Sequence, residues 1–311
     1  MFNFEAIIKE FKTKNVYTFF VYQRAAFLIH YCKSGEYIKY PRKINSITKS
    51  ILATLIGIAL DRGYIEHIHV PIKKYFPRLP SAKESLTLYH LLTMSTGEEW
   101  DEFGNGVRFP SNFVRSKHWV NYVLKRPIVE APGTAMNYNT GSSHLLSAIL
   151  QQVTGVSASQ FAKQVLFEPL SITEYEWEQD PQGITVGGFG MKMKPLDLLK
   201  IGLLYLHNGV WQGNQIISHD WIQQSTRPMF TTYKHIGSYG FHWWVLDKKV
   251  FLIPFDVYFA MGYAGQYIIV IPEAELVAVI TANMPKQGLV PLHIFIDHLS
   301  SNNWRPNVHT K

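Results

Sequence analysis

The order of strand-like and helix-like segments restricts the fold of this chain more than any other feature of its sequence. Runs rich in β-branched and aromatic residues lie near both ends of the chain, at 16–22, 26–32, 257–260, 267–271 and 276–281. The middle of the chain instead shows helical periodicity interrupted by polar loops. Strands at both ends with helices between them predict one antiparallel sheet that is built from both termini and flanked by helices.

The predicted fold class is therefore α+β, with a largely helical lobe inserted into the sheet lobe. The chain has 311 residues, of which 47% are hydrophobic, enough for one large core or two lobes that share a cleft. We predict one domain over 1–311, in which about 1–70 and 226–311 form the sheet lobe and about 71–225 the helical lobe. Two more strand-like runs are predicted to extend the sheet, at 239–245 and 250–253.

Helices are predicted where apolar residues recur every three to four positions. In the first helix, 3–13, one face carries Phe4, Ile7, Ile8 and Phe11. Further helices are predicted at about 86–97, 120–124, 143–153, 158–166, 195–206, 219–225 and 289–299.

A serine and a lysine three positions apart begin a long apolar helix in the sheet lobe. The motif Ser46-Ile47-Thr48-Lys49 precedes an apolar run over 50–60, and Asp61-Arg62-Gly63 is a usual helix stop. Positions i and i+3 of a helix share a face, so the Ser46 hydroxyl and the Lys49 amine can meet. The free N–H groups at the helix N-terminus would stabilise a developing anion. These are the parts of an acyl-transfer site, although a capping serine beside a solvated lysine gives the same pattern.

Two more motifs follow in order, Tyr138-Asn139-Thr140 and Gly262-Tyr263-Ala264-Gly265-Gln266. With them, the sequence resembles the serine β-lactamase-related family of class C β-lactamases, D-alanyl-D-alanine carboxypeptidases, related esterases and 6-aminohexanoate-oligomer hydrolases. The resemblance covers nearly the whole chain and implies the β-lactamase/penicillin-binding-protein-like transpeptidase fold. It includes further matches at 91–97, 167–172, 195–202 and 239–244.

The resemblance implies roles for the residues of the first two motifs. Ser46 is the expected nucleophile and forms an acyl-enzyme, and Lys49 and Tyr138 are the expected proton-transfer pair. An unperturbed lysine or tyrosine is a poor base, because each titrates near about 10. We expect the two groups to help one another, since an ammonium favours the phenolate and burial disfavours the ammonium.

The third motif is expected to complete an oxyanion hole. By resemblance, its two N–H donors are the backbone amides of Ser46 and Tyr263. The matching strand carries Ala260-Met261-Gly262, and Gly262 would let the substrate backbone approach closely. The glycine is also compatible with a β-bulge.

Departures from the penicillin-recognising pattern bear on the substrate. Ala260 stands where that pattern has a lysine or histidine that helps to bind a substrate carboxylate, and Thr140 stands where it has an asparagine. These changes favour the ester- and amide-hydrolysing branch. The predicted substrate-binding residues are Thr140, Gly262, Gln266 and Trp100, and an aromatic loop over 98–110, with Phe103 and Phe109, is expected to cover the cleft.

Charge and composition exclude several other functions. The net charge is +7, but the basic residues are scattered in pairs such as Lys73-Lys74 among 23 acidic residues, which disfavours binding of nucleic acid. The one cysteine, Cys32, excludes a disulfide within the chain and is interpreted as a buried strand thiol. His67 and His69 lack a third ligand nearby, so we predict no metal and no cofactor.

The sequence also predicts the cellular location of the protein. No run of about 18 apolar residues is present, and the first residues lack the apolar stretch of a signal peptide. We therefore predict no transmembrane segment and a cytoplasmic location, and make no prediction of oligomeric state.

The predicted function is that of a serine hydrolase acting on a small ester or amide. Within enzymes, the alternative is a β-lactamase or D-alanyl-D-alanine carboxypeptidase. An alternative of another class is a catalytically silent homologue that binds a ligand or partner, which the joint presence of Ser46, Lys49 and Tyr138 disfavours.

Overall fold

The computed structural model describes residues 3–102, 111–233 and 236–300. Its helices are α1 (Phe4–Lys12), α2 (Glu36–Lys39), α3 (Ile47–Asp61), α4 (Leu88–Leu92), α5 (Ser111–Arg115), α6 (Trp119–Leu124), α7 (Thr140–Thr154), α8 (Ala158–Ala162), α9 (Pro195–Leu206), α10 (His219–Ser225), α11 (Lys248–Phe251) and α12 (Val290–Ser300). Its strands are β1 (Val16–Gln23), β2 (Ala26–Cys32), β3 (Arg42–Lys43), β4 (Glu176–Trp177), β5 (Met191–Met193), β6 (Val210–Trp211), β7 (Asn214–Gln215), β8 (Phe230–Thr231), β9 (Ser238–Tyr239), β10 (Trp244–Val245), β11 (Tyr258–Gly262), β12 (Gln266–Ile271) and β13 (Leu276–Ala282). None of these helices combines the length and the apolar character needed to cross a membrane.

The main sheet joins the two ends of the chain. Its eight strands lie in the order β2-β1-β13-β12-β11-β10-β9-β8, and neighbouring strands are antiparallel. Strand β1 pairs with β13, so that Phe19 lies opposite Ile280 and Val21 opposite Ala278. The prediction of an α+β fold with an antiparallel sheet made from both termini is confirmed.

Helices cover both faces of the sheet and bury its central strands. Helices α1 and α12 pack together on one face, and α3 and α9 lie on the other. Every side chain of β12 and β13 is buried as a result. The sequence predicts α9 as part of the helical lobe, but this helix lies against β12 and β13, where a Cβ atom at Gly202 would be 2.5 Å from Val277 Cγ1.

The helices of the middle segment surround α7. This helix contacts α3, α4, α6 and α8, and α3 therefore lies between the helical segment and the main sheet. A second sheet, in the order β3-β5-β4, connects the segment just before α3 to residues 191–193. The helix α3 and the segment before it are thus fixed by contacts with the helical segment, the main sheet and the second sheet.

Most predicted elements are present, with a few differences. The runs at 195–206 and 219–225 are helical over the predicted ranges, as α9 and α10. The predicted strand at 250–253 is wrong, because the Asp247 side chain accepts hydrogen bonds from the Lys249 and Val250 amides and begins a short helix instead. Cys32 lies in a strand as predicted, but β2 is an edge strand and the thiol is only half-buried.

Candidate active site

Ser46 lies immediately before α3, at the position that would cap the helix. The preceding residue, Asn45, has a φ of +51°, so the chain turns sharply into the helix. The Ser46 side chain makes no capping hydrogen bond. Instead, Lys49 Nζ donates a hydrogen bond to Ser46 Oγ over 3.0 Å. The spacing of three residues therefore brings the hydroxyl and the amine into contact.

Lys49 is completely enclosed by protein. Its side chain is 1% exposed, and Nζ also donates to the Gly188 carbonyl over 2.8 Å. Burial lowers the pKa of Lys49 to about 8, although the Glu102 carboxylate acts in the opposite direction. The neutral amine is thus accessible near neutral pH, and the alternative of a solvated lysine beside a capping serine is excluded.

The contact between Lys49 and Gly188 depends on the absence of a side chain at residue 188. A Cβ atom there would lie 2.7 Å from Thr140 Cγ2 and 3.1 Å from Lys49 Nζ. Only a glycine lets this backbone approach both groups without displacing them. The sequence analysis does not identify Gly188, although the cluster Gly187-Gly188-Phe189-Gly190 is a signal of close backbone contact.

Tyr138 completes a buried group with Ser46 and Lys49. Lys49 Nζ lies 4.9 Å from the centre of the tyrosine ring. The ring stacks on Trp244 with centroids 5.6 Å apart and an interplanar angle of 21°, and it contacts the edge of Tyr239. These contacts fix the ring next to Lys49 and to Ser46, whose side chain influences the ionisation of the Tyr138 hydroxyl.

The pKa of Tyr138 is shifted in the direction opposite to the one that the sequence analysis predicts. Burial raises the pKa of Tyr138, and the Glu102 carboxylate raises it further, while the hydrogen bond with Ser46 acts in the opposite direction. We expected the Lys49 ammonium to favour the phenolate, but loss of water around the hydroxyl is the larger effect. Tyr138 is therefore a phenol that can donate a proton, and Lys49 is the better base of the two.

A buried polar network holds the backbone next to Tyr138. The Asn139 side chain accepts a hydrogen bond from the Ser142 amide over 3.1 Å and donates one to Glu98 over 3.0 Å. Glu98 forms a buried ion pair with Lys83, whose Nζ also donates to the Val123 carbonyl over 2.9 Å. Because both charges are paired and bonded to fixed groups, this network orients the start of α7.

The turn between β11 and β12 lies against the segment that leads to Ser46. A Cβ atom at Gly262 would be 2.2 Å from the Ile44 carbonyl oxygen, so only a glycine fits. Asn45 Nδ2 donates a hydrogen bond to the Tyr263 carbonyl over 2.8 Å. Among the hydrogen bonds of the described residues, none uses the Ser46 or the Tyr263 amide as its donor. Neither amide is thus bonded to another described residue.

Three of the predicted substrate-binding side chains are engaged inside the protein. The Thr140 hydroxyl and amide both donate to Glu102, and the amide does so over 2.9 Å. Trp100 is 8% exposed, and its Nε1–H donates to the same carboxylate over 2.7 Å. Gln266 Nε2 donates to the Ala282 carbonyl over 2.6 Å. These polar groups hold parts of the protein together, and the role of the three residues in substrate binding stays a prediction.

The aromatic residues near the site have different exposures. Trp243 is entirely buried and Trp244 is 3% exposed. Tyr233, which the sequence analysis does not identify, is 46% exposed, and its ring centroid lies 6.4 Å from that of Trp244. It is thus an exposed aromatic group beside the stack on Tyr138. Phe103 and Phe109, which were expected to cover the cleft, lie outside the described residues.

Comparisons with known proteins agree with the motifs. A family model described as Beta-lactamase matches residues 43–294. The 6-aminohexanoate-dimer hydrolase of Paenarthrobacter ureafaciens is 22% identical over 289 residues, which are 86% of this chain and 72% of that protein.

Solved structures share the fold of this chain at low sequence identity. A candidate 6-aminohexanoate-dimer hydrolase from Bacillus anthracis superposes with a TM-score of 0.78 at 18% identity, over 93% of this chain and 80% of that one. A class C β-lactamase from Rhodobacter sphaeroides gives a TM-score of 0.71, also at 18% identity, over 95% and 97% of the two chains. The resemblance inferred from the motifs is confirmed at the level of family and fold.

Proposed function

Because the chain belongs to the beta-lactamase family of serine hydrolases, we propose that it cleaves a small ester or amide through an acyl-enzyme on Ser46. The observation that carries the proposal is the hydrogen bond of 3.0 Å between Lys49 Nζ and Ser46 Oγ, within a site that excludes water from the lysine. The Tyr138 ring lies beside the same amine, with its centre 4.9 Å from Lys49 Nζ. A silent homologue has no need to keep a buried lysine, which costs stability, against its serine.

In the acylation step, neutral Lys49 takes the proton of Ser46 as Oγ attacks the carbonyl carbon of the substrate. The negative charge on the carbonyl oxygen is stabilised by the Ser46 and Tyr263 amides. The Tyr138 phenol gives its proton to the departing oxygen or nitrogen, and the Lys49 ammonium returns a proton to Tyr138. The alcohol or amine leaves, and the acyl group stays on Ser46.

In deacylation, water is the attacking group and Ser46 Oγ is the leaving group. A water molecule attacks the acyl carbon, and its proton passes to the Lys49–Tyr138 pair. The carbon–oxygen bond to Ser46 breaks, and Oγ recovers a proton from that pair as the carboxylic acid leaves. These steps use side chains and backbone amides of this chain only.

The surroundings of the turn at 262–266 support an ester or amide substrate over a β-lactam. Ala260 is buried and carries no charge, so this strand offers no cation to a substrate carboxylate. The Thr140 hydroxyl is bonded to Glu102 and is not free for a β-lactam side chain. A carboxylate brought to this strand would lose water without gaining an ion pair from Tyr258–Gly262.

Covalent labelling tests the proposal directly. A fluorophosphonate probe should add one phosphonyl group to the wild-type protein, at Ser46, and none to the Ser46→Ala variant. Intact mass spectrometry detects the adduct, and peptide mapping locates it. An unchanged mass after long exposure would support the silent homologue.

A further inference from the structure

A buried carboxylate lies beside the candidate active site and has no part in the proton transfers described above. Glu102 is 5% exposed. One carboxylate oxygen accepts hydrogen bonds from Trp100 Nε1 over 2.7 Å and from the Thr140 amide over 2.9 Å, and the other accepts from the Thr140 hydroxyl. No lysine, arginine or histidine in the described parts of the chain forms an ion pair with it. Burial of a carboxylate without an ion pair to a described residue is costly, so its position calls for an explanation.

Thr140 and Gly188 lie between this carboxylate and the Lys49 amine. The hydroxyl and amide of Thr140 hold Glu102, while its methyl group, Cγ2, faces Gly188. The Gly188 carbonyl in turn accepts the hydrogen bond of Lys49 Nζ. The carboxylate and the amine are thus both buried and are bridged by Thr140 and Gly188, in surroundings where charges are poorly screened by water.

The other groups that face Lys49 carry no compensating charge. Ser46 and the Gly188 carbonyl are neutral acceptors, and Tyr138 keeps its proton because burial raises its pKa. His242 lies between the Leu92 carbonyl and the Ser143 hydroxyl, at 2.9 Å from each. Burial first, and then Lys49, lower the pKa of His242 to about 3, so this imidazole is also neutral.

We propose that Glu102 is the buried counter-charge of Lys49 and that it sets the pH range in which Lys49 can take the proton of Ser46. The inference rests on the proposed function. Glu102 acts as a positioning residue, since Trp100 and Thr140 hold it away from the substrate. Its negative charge favours the Lys49 ammonium and disfavours the Tyr138 phenolate. Glu102 therefore keeps Tyr138 protonated as a proton donor, and it makes neutral Lys49 a stronger base that accepts the Ser46 proton more readily.

The pH profile of ester turnover in Glu102 variants tests this role. In the wild type, kcat/KM should rise with pH through a midpoint of about 8, where Lys49 loses its proton. Glu102→Gln keeps a carbonyl oxygen for the Thr140 amide but removes the charge, so the midpoint should fall by about one pH unit. Glu102→Asp keeps the charge, so its midpoint should stay near that of the wild type even if kcat falls. Glu99→Gln removes an exposed carboxylate nearby and should leave both the midpoint and the rate unchanged.

A direct titration separates failure of this inference from failure of the proposed function. In the Ser46→Ala background, the ¹³Cε signal of labelled Lys49, assigned by its loss in Lys49→Met, should titrate at lower pH when Glu102→Gln is added. A shifted Lys49 titration, together with no ester turnover by the protein that keeps Ser46, would support the counter-charge and refute the hydrolase. An unshifted titration, or an equal shift in Glu102→Asp, would overturn the counter-charge and leave Glu102 as a structural acceptor for Thr140.

Discussion

Asn45 Nδ2 donates a hydrogen bond of 2.8 Å to the carbonyl of Tyr263, 218 residues further along the chain. This bond connects the turn before Ser46 to the turn that follows β11. The two amides that we propose as the oxyanion hole therefore belong to segments that one side chain ties together. The geometry of the proposed oxyanion hole is set jointly by the left-handed backbone of Asn45 and by the absence of a side chain at Gly262.

Loss of this connection should slow acylation without weakening substrate binding. Asn45→Gly keeps the positive φ of residue 45 but removes the side chain, and we expect kcat for p-nitrophenyl acetate to fall about tenfold, less than the roughly 100-fold loss of a whole oxyanion donor. KM should change little, because the bond positions the amides and does not contact the substrate. Full activity in Asn45→Gly would show that the turn is held by other contacts.

Removal of either proton-transfer group should be far more damaging. We expect Lys49→Ala and Tyr138→Phe each to lower ester turnover by at least roughly 100-fold, the usual loss when general acid–base catalysis is removed. Tyr239→Phe is the matched control, because this buried tyrosine also packs on Trp244, with centroids 4.7 Å apart. Steady-state rates that fall equally in Tyr138→Phe and Tyr239→Phe would point to packing of the rings and not to the Tyr138 hydroxyl.

The substrate preference can be ranked with two chromogenic compounds. We expect measurable cleavage of p-nitrophenyl acetate and negligible cleavage of nitrocefin, because the strand at Ala260 offers no cation to the carboxylate of a β-lactam. The Ser46→Ala variant gives the background for both rates. Faster turnover of nitrocefin would reverse the order and favour a β-lactamase.

Lys49 should lower the stability of the fold while supporting activity. Its pKa is about 8 in the folded protein and 10.5 when exposed, so between these values the unfolded chain binds more protons. The free energy of unfolding should therefore rise as pH increases from 8 to 10.5, and the cost of burying the ammonium is fully present below pH 8. Lys49→Met should be more stable than the wild type at pH 7 by about 1–3 kcal/mol in urea unfolding. Equal or lower stability of Lys49→Met would show that contacts of the ammonium offset its burial.

The sequence predicts the parts of the molecule that depend on local pattern. The hairpin of β1 and β2, the helix α3 and its contact between Ser46 and Lys49 follow from periodicity and spacing, because each involves residues close together in the chain. Gly188 lies 139 residues from Lys49, and no local pattern determines which carbonyl meets a distant amine.

The predicted substrate contacts illustrate a second limit. Thr140 and Trp100 carry polar groups that suit a substrate, but both donate to Glu102. A sequence gives the hydrogen-bonding capacity of a side chain, whereas its partner depends on which buried groups compete for it. Glu102 is such a competitor, and its burial is visible only in the folded chain.

The pairing of β1 with β13 has a consequence for how the protein is made. On the ribosome, β1 and Ser46 emerge early, but β13, the partner of β1, and the turn at Tyr263 are synthesised much later. Contacts between such distant segments are slow to form, because a long loop must be closed first. The nascent chain thus carries the proposed nucleophile, Ser46, long before the proposed second oxyanion amide, Tyr263, so any hydrolytic activity should begin only when β13 has paired with β1.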